Sequence, residues 1–358
     1  MSGRARPDLA ELERGALEAA LVERGQGAFR GGQLFRWIYR RGVTDLAAMT
    51  DLPLELRRRL ADEFVLTTPT LAHREKSRDG TEKFLLQLAD RRQIESVFIP
   101  DTPSMTFCIS TQVGCAMACA FCLTGKMGLV RNLTAGEIVG QVRVLTDALA
   151  MRETAFNIVL MGMGEPLHNY DETMKALRIL ADEDGLAVSP RRVTLSTVGL
   201  LPALERLARE PVMPNLAISL HAPTDLQRGE LVPINRKYGV GDIIEACKRF
   251  PLKKRSRITF EYVLLAGVND SPQDARRLAK LVAGVKSKVN LIPLNAAAGI
   301  PFERPSDDAI DRFAKILADH GVPVSVRKSR GRDIRAACGQ LIVEGQKKSS
   351  GQQLALVM

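Results

Sequence analysis

Gln112-Val-Gly-Cys115-Ala-Met-Ala-Cys119-Ala-Phe-Cys122 sets three thiols within eight residues, spaced by three and then two residues. Thiolates this close in sequence can converge on one metal centre from a single tight loop. A 4Fe–4S cluster normally takes four thiolates, so three leave one iron with an open position. Such a position keeps a metal available for chemistry as well as structure. A structural zinc ion would need a fourth ligand, and the nearest histidines, His73 and His168, are far off in sequence. Disulfides need an oxidising compartment, to which nothing in the sequence points.

Outward from this loop, strand and helix signals alternate nearly to the end of the chain. Short apolar runs at 106–110, 156–161, 192–196, 216–220, 258–264, 289–294 and 322–326 read as strands. Helical stretches at 135–148, 171–181, 201–209, 242–250, 274–283 and 307–319 lie between them. That alternation predicts a parallel sheet with crossover helices. The fold class is α/β, a partial (β/α)6 barrel with function in the loops after the strand C-termini. Small polar groups stand where the apolar runs stop. They are Met161-Gly-Met-Gly164-Glu165, Ser196-Thr-Val-Gly199, Ser219-Leu220-His221 and Pro293-Leu-Asn295. The glycines at 162 and 164 would let a ligand approach the backbone, and Glu165 offers a carboxylate to an ammonium.

Ahead of the barrel, residues 8–64 read as a small helical domain, with Asp51 and Pro53 marking a capped third helix at Leu54, Leu56 and Leu60. Arg36, Arg40, Arg41 and Arg57–Arg59 give it an arginine face that can contact RNA, although a solvated helix face looks the same. Residues 1–64 carry 11 Lys and Arg against 10 Asp and Glu, so this region is almost neutral. Residues 81–100 read as a β-hairpin turning at Asp90, with Glu95 an odd acid at a strand position where most acids face solvent. The expected division is a helical domain at 1–65, a hairpin extension at 66–100, a barrel core at 101–340 and a loosely ordered polar tail at 341–358.

Composition bounds the setting. The chain has 358 residues, 45% hydrophobic, and 51 Lys and Arg against 41 Asp and Glu give it a net charge of +10. That balance favours a polyanionic partner. No apolar run approaches the roughly 20 residues of a membrane span, and no apolar segment follows the N-terminus as in a signal peptide. Six cysteines, three of them in one loop, suit a reducing cytosol. The expectation is a cytoplasmic protein without a membrane partner.

The three-cysteine spacing resembles that of the radical S-adenosylmethionine (SAM) superfamily. The wider set of motifs is similar to the RlmN family, radical SAM methyltransferases acting on adenine carbon-2 of 23S rRNA and tRNA. The likeness is carried by Gln112–Cys122, Arg131-Asn132-Leu133, the four strand-end motifs and Ala336-Ala-Cys-Gly-Gln-Leu341. The resemblance implies that Cys115, Cys119 and Cys122 ligate one 4Fe–4S cluster, and that SAM chelates the open iron. Gly164, Glu165, Ser196, Ser219, Leu220, His221 and Asn295 would hold the rest of SAM. Cys338 would be an S-methylcysteine, Cys108 its partner and Glu95 a proton-accepting acid. Two SAM molecules would serve each turnover, one methylating Cys338 and one yielding the 5′-deoxyadenosyl radical that takes hydrogen from that methyl. The methylene radical adds to adenine, a base (Glu95 or Cys108) takes the ring proton, and Cys108 attacks the Cys338 sulfur. RNA leaves as a transient disulfide forms, and an external reductant resets the pair. An external electron donor and a monomeric enzyme complete the implied picture.

Residues 327–335 around Cys338 hold five basic residues and one acid, surroundings that lower a thiol's pKa and attract phosphate. A buried thiol beside a solvated basic loop would read alike. Cys247 reads as structural, and His73, His168 and His320 have no role. Other readings are a Cfr-type carbon-8 methyltransferase, a radical enzyme without a methylated cysteine, and an RNA-binding protein with a structural cluster.

Overall fold

The structure is a computed structural model that describes residues 6–100 and 105–343. The polar tail after Glu344 lies outside the described residues. Three helices open the chain, α1 (Arg14–Val22), α2 (Phe29–Phe35) and α3 (Leu54–Glu63). Each buries an apolar stripe, Leu17 and Leu21, Leu34 and Phe35, and Leu56 and Leu60 in turn. Asp51 does not cap α3. The N-cap is Pro53, without a side-chain bond, and the Asp51 carboxylate instead accepts the Trp37 indole N–H. The helices rest on the barrel, where Glu11 accepts the Gly136 N–H at 3.0 Å and Arg14 pairs with Asp182 at 3.0 Å.

The expected hairpin is observed, with β2 (Glu82–Gln87) antiparallel to β3 (Gln93–Ile99). A third strand, β1 (Thr70–Lys76), pairs with β2. Its residues are almost all exposed, so it shows no apolar alternation by which to read it from sequence. β3 then pairs antiparallel with β4 (Thr106–Cys108), fusing the hairpin to the barrel sheet.

The barrel follows in the expected alternation. After β4 come a small two-stranded sheet, β5 (Gln112–Gly114) with β6 (Leu129–Asn132), the short α4 (Leu123–Met127) between them, and α5 (Ala135–Ala148). Thr134 and Glu137 form a capping box at the start of α5. The rest of the order is β7 (Asn157–Leu160), α6 (Tyr170–Ala181), β8 (Val193–Thr197), α7 (Leu201–Leu207), β9 (Asn215–Ser219), α8 (Asp225–Leu231), α9 (Val240–Arg249), β10 (Ile258–Leu264), α10 (Pro272–Val282), β11 (Ser287–Pro293), α11 (Asp307–Asp319) and β12 (Val324–Val326). The strands β4-β7-β8-β9-β10-β11-β12 run parallel in that order, joined by six crossovers in one open ten-stranded sheet.

The sheet curls. Residues near the N-terminal ends of all seven parallel strands, from Thr106 and Asn157 round to Lys288 and Ser325, line one cavity. Residues at the C-terminal ends of β7 to β11 line a second. One face of the sheet is therefore the inside of a partial barrel. No helix among the described residues is long and apolar enough to cross a membrane.

Candidate active site

The three-cysteine loop is held by backbone from three directions. Cys115 N–H donates to Gly128 O at 3.0 Å, Ala120 N–H to Leu231 O at 2.9 Å, and Leu123 N–H to Gly339 O at 2.8 Å. The loop turns through Ala118 at φ 51°, a left-handed conformation that costs an alanine free energy. Cys115, Cys119 and Cys122 line one cavity, and all six cysteines are free thiols. Burial pushes Cys115 up to about 12 and raises Cys119 and Cys122 as well. A bound cation reverses that preference by favouring the thiolate. No three His, Cys, Asp or Glu side chains among the described residues are grouped to hold a single metal ion. A four-iron cluster makes a different demand, since each thiolate takes its own iron. His168 lies beside the loop, with its Nδ1 on the Gln112 amide at 2.9 Å.

The strand ends converge on the same cavity. Glu165 accepts Leu167 N–H at 3.1 Å on Oε1 and Val198 N–H at 2.9 Å on Oε2. Burial nevertheless raises its carboxyl to about 7. Ser196 and Ser219 face each other, Oγ to Oγ, at 3.3 Å. At the end of β9 the N–H groups of Leu220 and His221 both reach Glu261 O, a bulge that turns His221 to φ 63°. His221 Nδ1 accepts Val263 N–H at 3.1 Å, and its ring stands edge-on to Phe121. Burial, with Arg228 adding to it, depresses the imidazole to about 3, so it is neutral. Leu220 departs from the expected set, for its side chain is wholly buried and lines neither cavity.

Gly164 borders the cavity, but the space its missing Cβ leaves is filled by protein. At φ 105° a Cβ would meet Gln112 N at 2.7 Å, and one on Gly162 would meet Ile109 O at 2.7 Å. The two glycines let the turn after β7 lie against the chain entering β5. The expected close approach is therefore backbone to backbone.

Cys338 lines both cavities, whereas Cys108 lines only the lower one. The segment carrying Cys338 is stapled to the cysteine loop, for Thr124 Oγ1 donates to Leu341 O at 2.6 Å. Gly339, at φ 81°, brings its α-carbon against the Phe121 carbonyl, where a Cβ would sit at 3.2 Å. Asn295 donates from Nδ2 to Cys338 O at 3.3 Å, and its buried Oδ1 has no partner. That orphan acceptor, three thiols and the Glu165 carboxylate form a donor set that fits a cluster and an amino-acid ligand. Burial pushes Cys108 up to about 12; Cys338 adds to the rise and Arg327 opposes it.

Glu95 is buried, contrary to the solvent-facing reading, and lines neither cavity. Its Oε1 lies 3.3 Å from Lys83 Nζ, and its Oε2 accepts Ile342 N–H at 2.8 Å. Burial raises its carboxyl, against the pull of Lys83. Three charged residues went unassigned from sequence. Glu261 and Arg327 line both cavities, and Arg228 is buried behind the strand ends. Glu261 could have been noticed as an acid within the run 258–264. Arg228 sits in a polar helix and carries no such signal. Cys247 is buried on α9, while His73 and His320 line neither cavity.

Residues 109–279 match the family model for the radical SAM superfamily, and residues 7–66 match that for the ribosomal RNA large subunit methyltransferase N-terminal domain. The chain is 51% identical over 334 residues to the dual-specificity RNA methyltransferase RlmN of Geobacter sulfurreducens, covering 93% of this chain and 91% of the relative. It is 48% identical over 345 residues to the protein of the same name from Anaeromyxobacter dehalogenans, covering 95% and 92%. The crystal structure of a radical SAM methyltransferase from Sphaerobacter thermophilus superposes with a TM-score of 0.89 at 48% identity, over 94% of this chain and 99% of that one.

Proposed function

Because the chain belongs to the RlmN family of radical SAM methyltransferases, we propose that it methylates carbon-2 of an adenine in 23S rRNA and of the adenine 3′ of the anticodon in tRNA. The superfamily implies a 4Fe–4S cluster and SAM. In the finer reading Cys115, Cys119 and Cys122 ligate one cluster, and Gly164, Glu165, Ser196, Ser219, the backbone at Leu220, His221 and Asn295 hold SAM. Two SAM are consumed per turnover. When bound, these groups supply methyl to a nucleophile and, after one-electron reduction, a 5′-deoxyadenosyl radical.

The observation that carries the reading is the double exposure of Cys338 to the cavity of the three cluster cysteines and to the cavity of Cys108. A thiol at that junction can take a methyl from one side and present it to a base from the other. Ring carbon-2 of adenine is electrophilic and carries no acidic hydrogen, so a methyl cation cannot be transferred to it, whereas a carbon radical adds. Once the Cys338-borne methylene carbon is bonded to the ring, Glu95 or Cys108 takes the ring proton. Cys108 then bonds to the Cys338 sulfur as the Cys338 sulfur–carbon bond breaks. The disulfide is reset by an external reductant. Arg191, Arg192, Lys288, Lys328 and Arg330 line the lower cavity, a basic approach suited to RNA phosphate. An external one-electron donor, a cytoplasmic setting and a monomeric enzyme complete the reading.

The test is mass spectrometry of digested 23S rRNA and tRNA after reaction, together with the intact Cys338 peptide. Expected are 2-methyladenine and S-methyl-Cys338, no methylation by Cys338→Ala, and RNA covalently trapped by Cys108→Ala. Normal turnover by Cys338→Ala overturns the mechanism, and 8-methyladenine overturns the regiochemistry.

A further inference from the structure

Arg228 is wholly buried. Its guanidinium donates from Nε to Leu220 O at 2.9 Å, from Nη1 to Asn235 Oδ1 at 2.9 Å, and from Nη2 to Val198 O at 2.6 Å and Ser219 O at 3.1 Å. Every one of these acceptors is neutral. Among the described residues, no ion pair within 4.0 Å includes Arg228. Asp225, the acid whose field reaches it, is exposed and spends its Oδ1 on Asn235 and Val240. A cation buried without a counter-ion is costly, and burial draws this one down only to about 10, so it stays charged at neutral pH.

The missing counter-charge lies on the cysteine loop. The Cys119 thiolate is the largest favourable charge acting on Arg228. The helix that carries Arg228 is bonded to the loop through Ala120 N–H and Leu231 O at 2.9 Å. Leu231 and Val232 pack in one apolar cluster with Met117 and Phe121 of the loop. The argument rests on the three-thiolate reading above. A 4Fe–4S core of charge +2 with three thiolates is a monoanion, and reduction makes it a dianion. A fixed cation in a low-dielectric setting stabilises the dianion more. We propose that Arg228 is the buried counter-cation of the cluster and that its charge raises the cluster's reduction potential, besides tying down the strand ends that hold SAM.

The test is a potentiometric titration of the cluster-loaded enzyme without SAM, followed by the EPR signal of the reduced cluster. Arg228→Gln removes the charge and is expected to lower the equilibrium constant for reduction about tenfold, a fall of about 59 mV for a one-electron couple. Arg228→Lys keeps the charge but not the fork, and is expected to stay within about threefold of the parent. Asn235→Asp leaves Arg228 in place and sets a carboxylate against Nη1, so its constant should fall with that of Arg228→Gln. It carries the test if Arg228→Gln does not fold. Equal falls in the Gln and Lys variants, or no fall in Asn235→Asp, overturn the proposal and leave Arg228 a clamp for the strand ends. If the parent enzyme holds no iron and sulfide, the three-thiolate reading itself fails, and this inference with it.

Discussion

Glu165→Gln isolates the electrostatics of the cavity before any ligand enters. Burial raises the Glu165 carboxyl from its ordinary 4.5 to about 7. That displacement is worth about 3 kcal/mol at 1.36 kcal/mol per pKa unit. The folded state binds the proton more tightly, so this group contributes no penalty below pH 4.5, where both states are protonated. Stability then falls as pH rises toward 7, because the unfolded chain ionises first. Above about 7 the full penalty is present. The amide of Gln cannot ionise, but it leaves one of the two N–H donors, Leu167 or Val198, without an acceptor. That loss costs about 1–3 kcal/mol at every pH. The variant is therefore expected to be the less stable protein at pH 5 and to gain about 3 kcal/mol on the parent by pH 8. Urea unfolding of the reduced, cluster-free protein across that range reads the difference directly. A difference between variant and parent that is flat with pH would refute the reasoning.

Gly339→Ala introduces a Cβ at 3.2 Å from the Phe121 carbonyl in a left-handed conformation. It should cost about 1–2 kcal/mol and reduce the S-methyl-Cys338 content of the purified enzyme, read by peptide mass. Asn295→Leu removes the orphan acceptor and the donor to Cys338 O, and SAM affinity by equilibrium dialysis is expected to fall tenfold or more, about 1.4 kcal/mol. Because burial holds Cys108 near 12, it stays a thiol up to pH 9. Iodoacetamide should label it only at background level in protein whose three cluster cysteines are changed to Ala. Replacing Arg191 and Arg192 by Ala is expected to weaken RNA binding similarly for all sequences and to flatten its salt dependence by about 0.7–0.9 per lost phosphate contact, measured by filter binding at several salt concentrations.

The parallel half of the fold was legible because its strands are buried apolar runs separated by amphipathic helices. The residues 258–264, all but one of them buried, form β10 as read. The edge strand at 70–76 was not legible, because a solvent-exposed edge needs no alternation of apolar residues. The short strands flanking the cysteine loop escaped for another reason. Three or four residues are too few to establish a period, and their pairing is fixed by Gly114 and Gly128 backbone in contact. At the site, the motifs located Glu165, Ser196, Ser219, His221 and Asn295 at one cavity because each ends a strand. Chain order hid how charge is shared across strands. Arg327, counted before as one of five basic residues, is the cation that opposes the burial of Cys108. Arg228 could be found only from its acceptors, which come from the ends of β8 and β9 and from Asn235.

Glu95 presents the remaining choice, between a base and an anchor. Its Oε2 receives the Ile342 N–H, four residues beyond Cys338, and its Oε1 lies against Lys83. An anchor would act before chemistry, by holding the Cys338 segment for methyl loading. A base would act after the ring is bonded to Cys338. Glu95→Gln keeps an oxygen for Ile342 and gives up proton affinity, whereas Glu95→Ala gives up both. If Glu95 is the base, the Gln variant loads S-methyl-Cys338 as the parent does and then accumulates protein cross-linked to RNA, visible as a shifted band on a denaturing gel. The Ala variant loads poorly as well, since Ile342 N–H loses its buried acceptor at a cost of about 1–3 kcal/mol. Turnover by Glu95→Gln within about threefold of the parent, together with poor loading by Glu95→Ala, would leave Glu95 as the anchor. The ring proton would then fall to Cys108, the other thiol of the lower cavity.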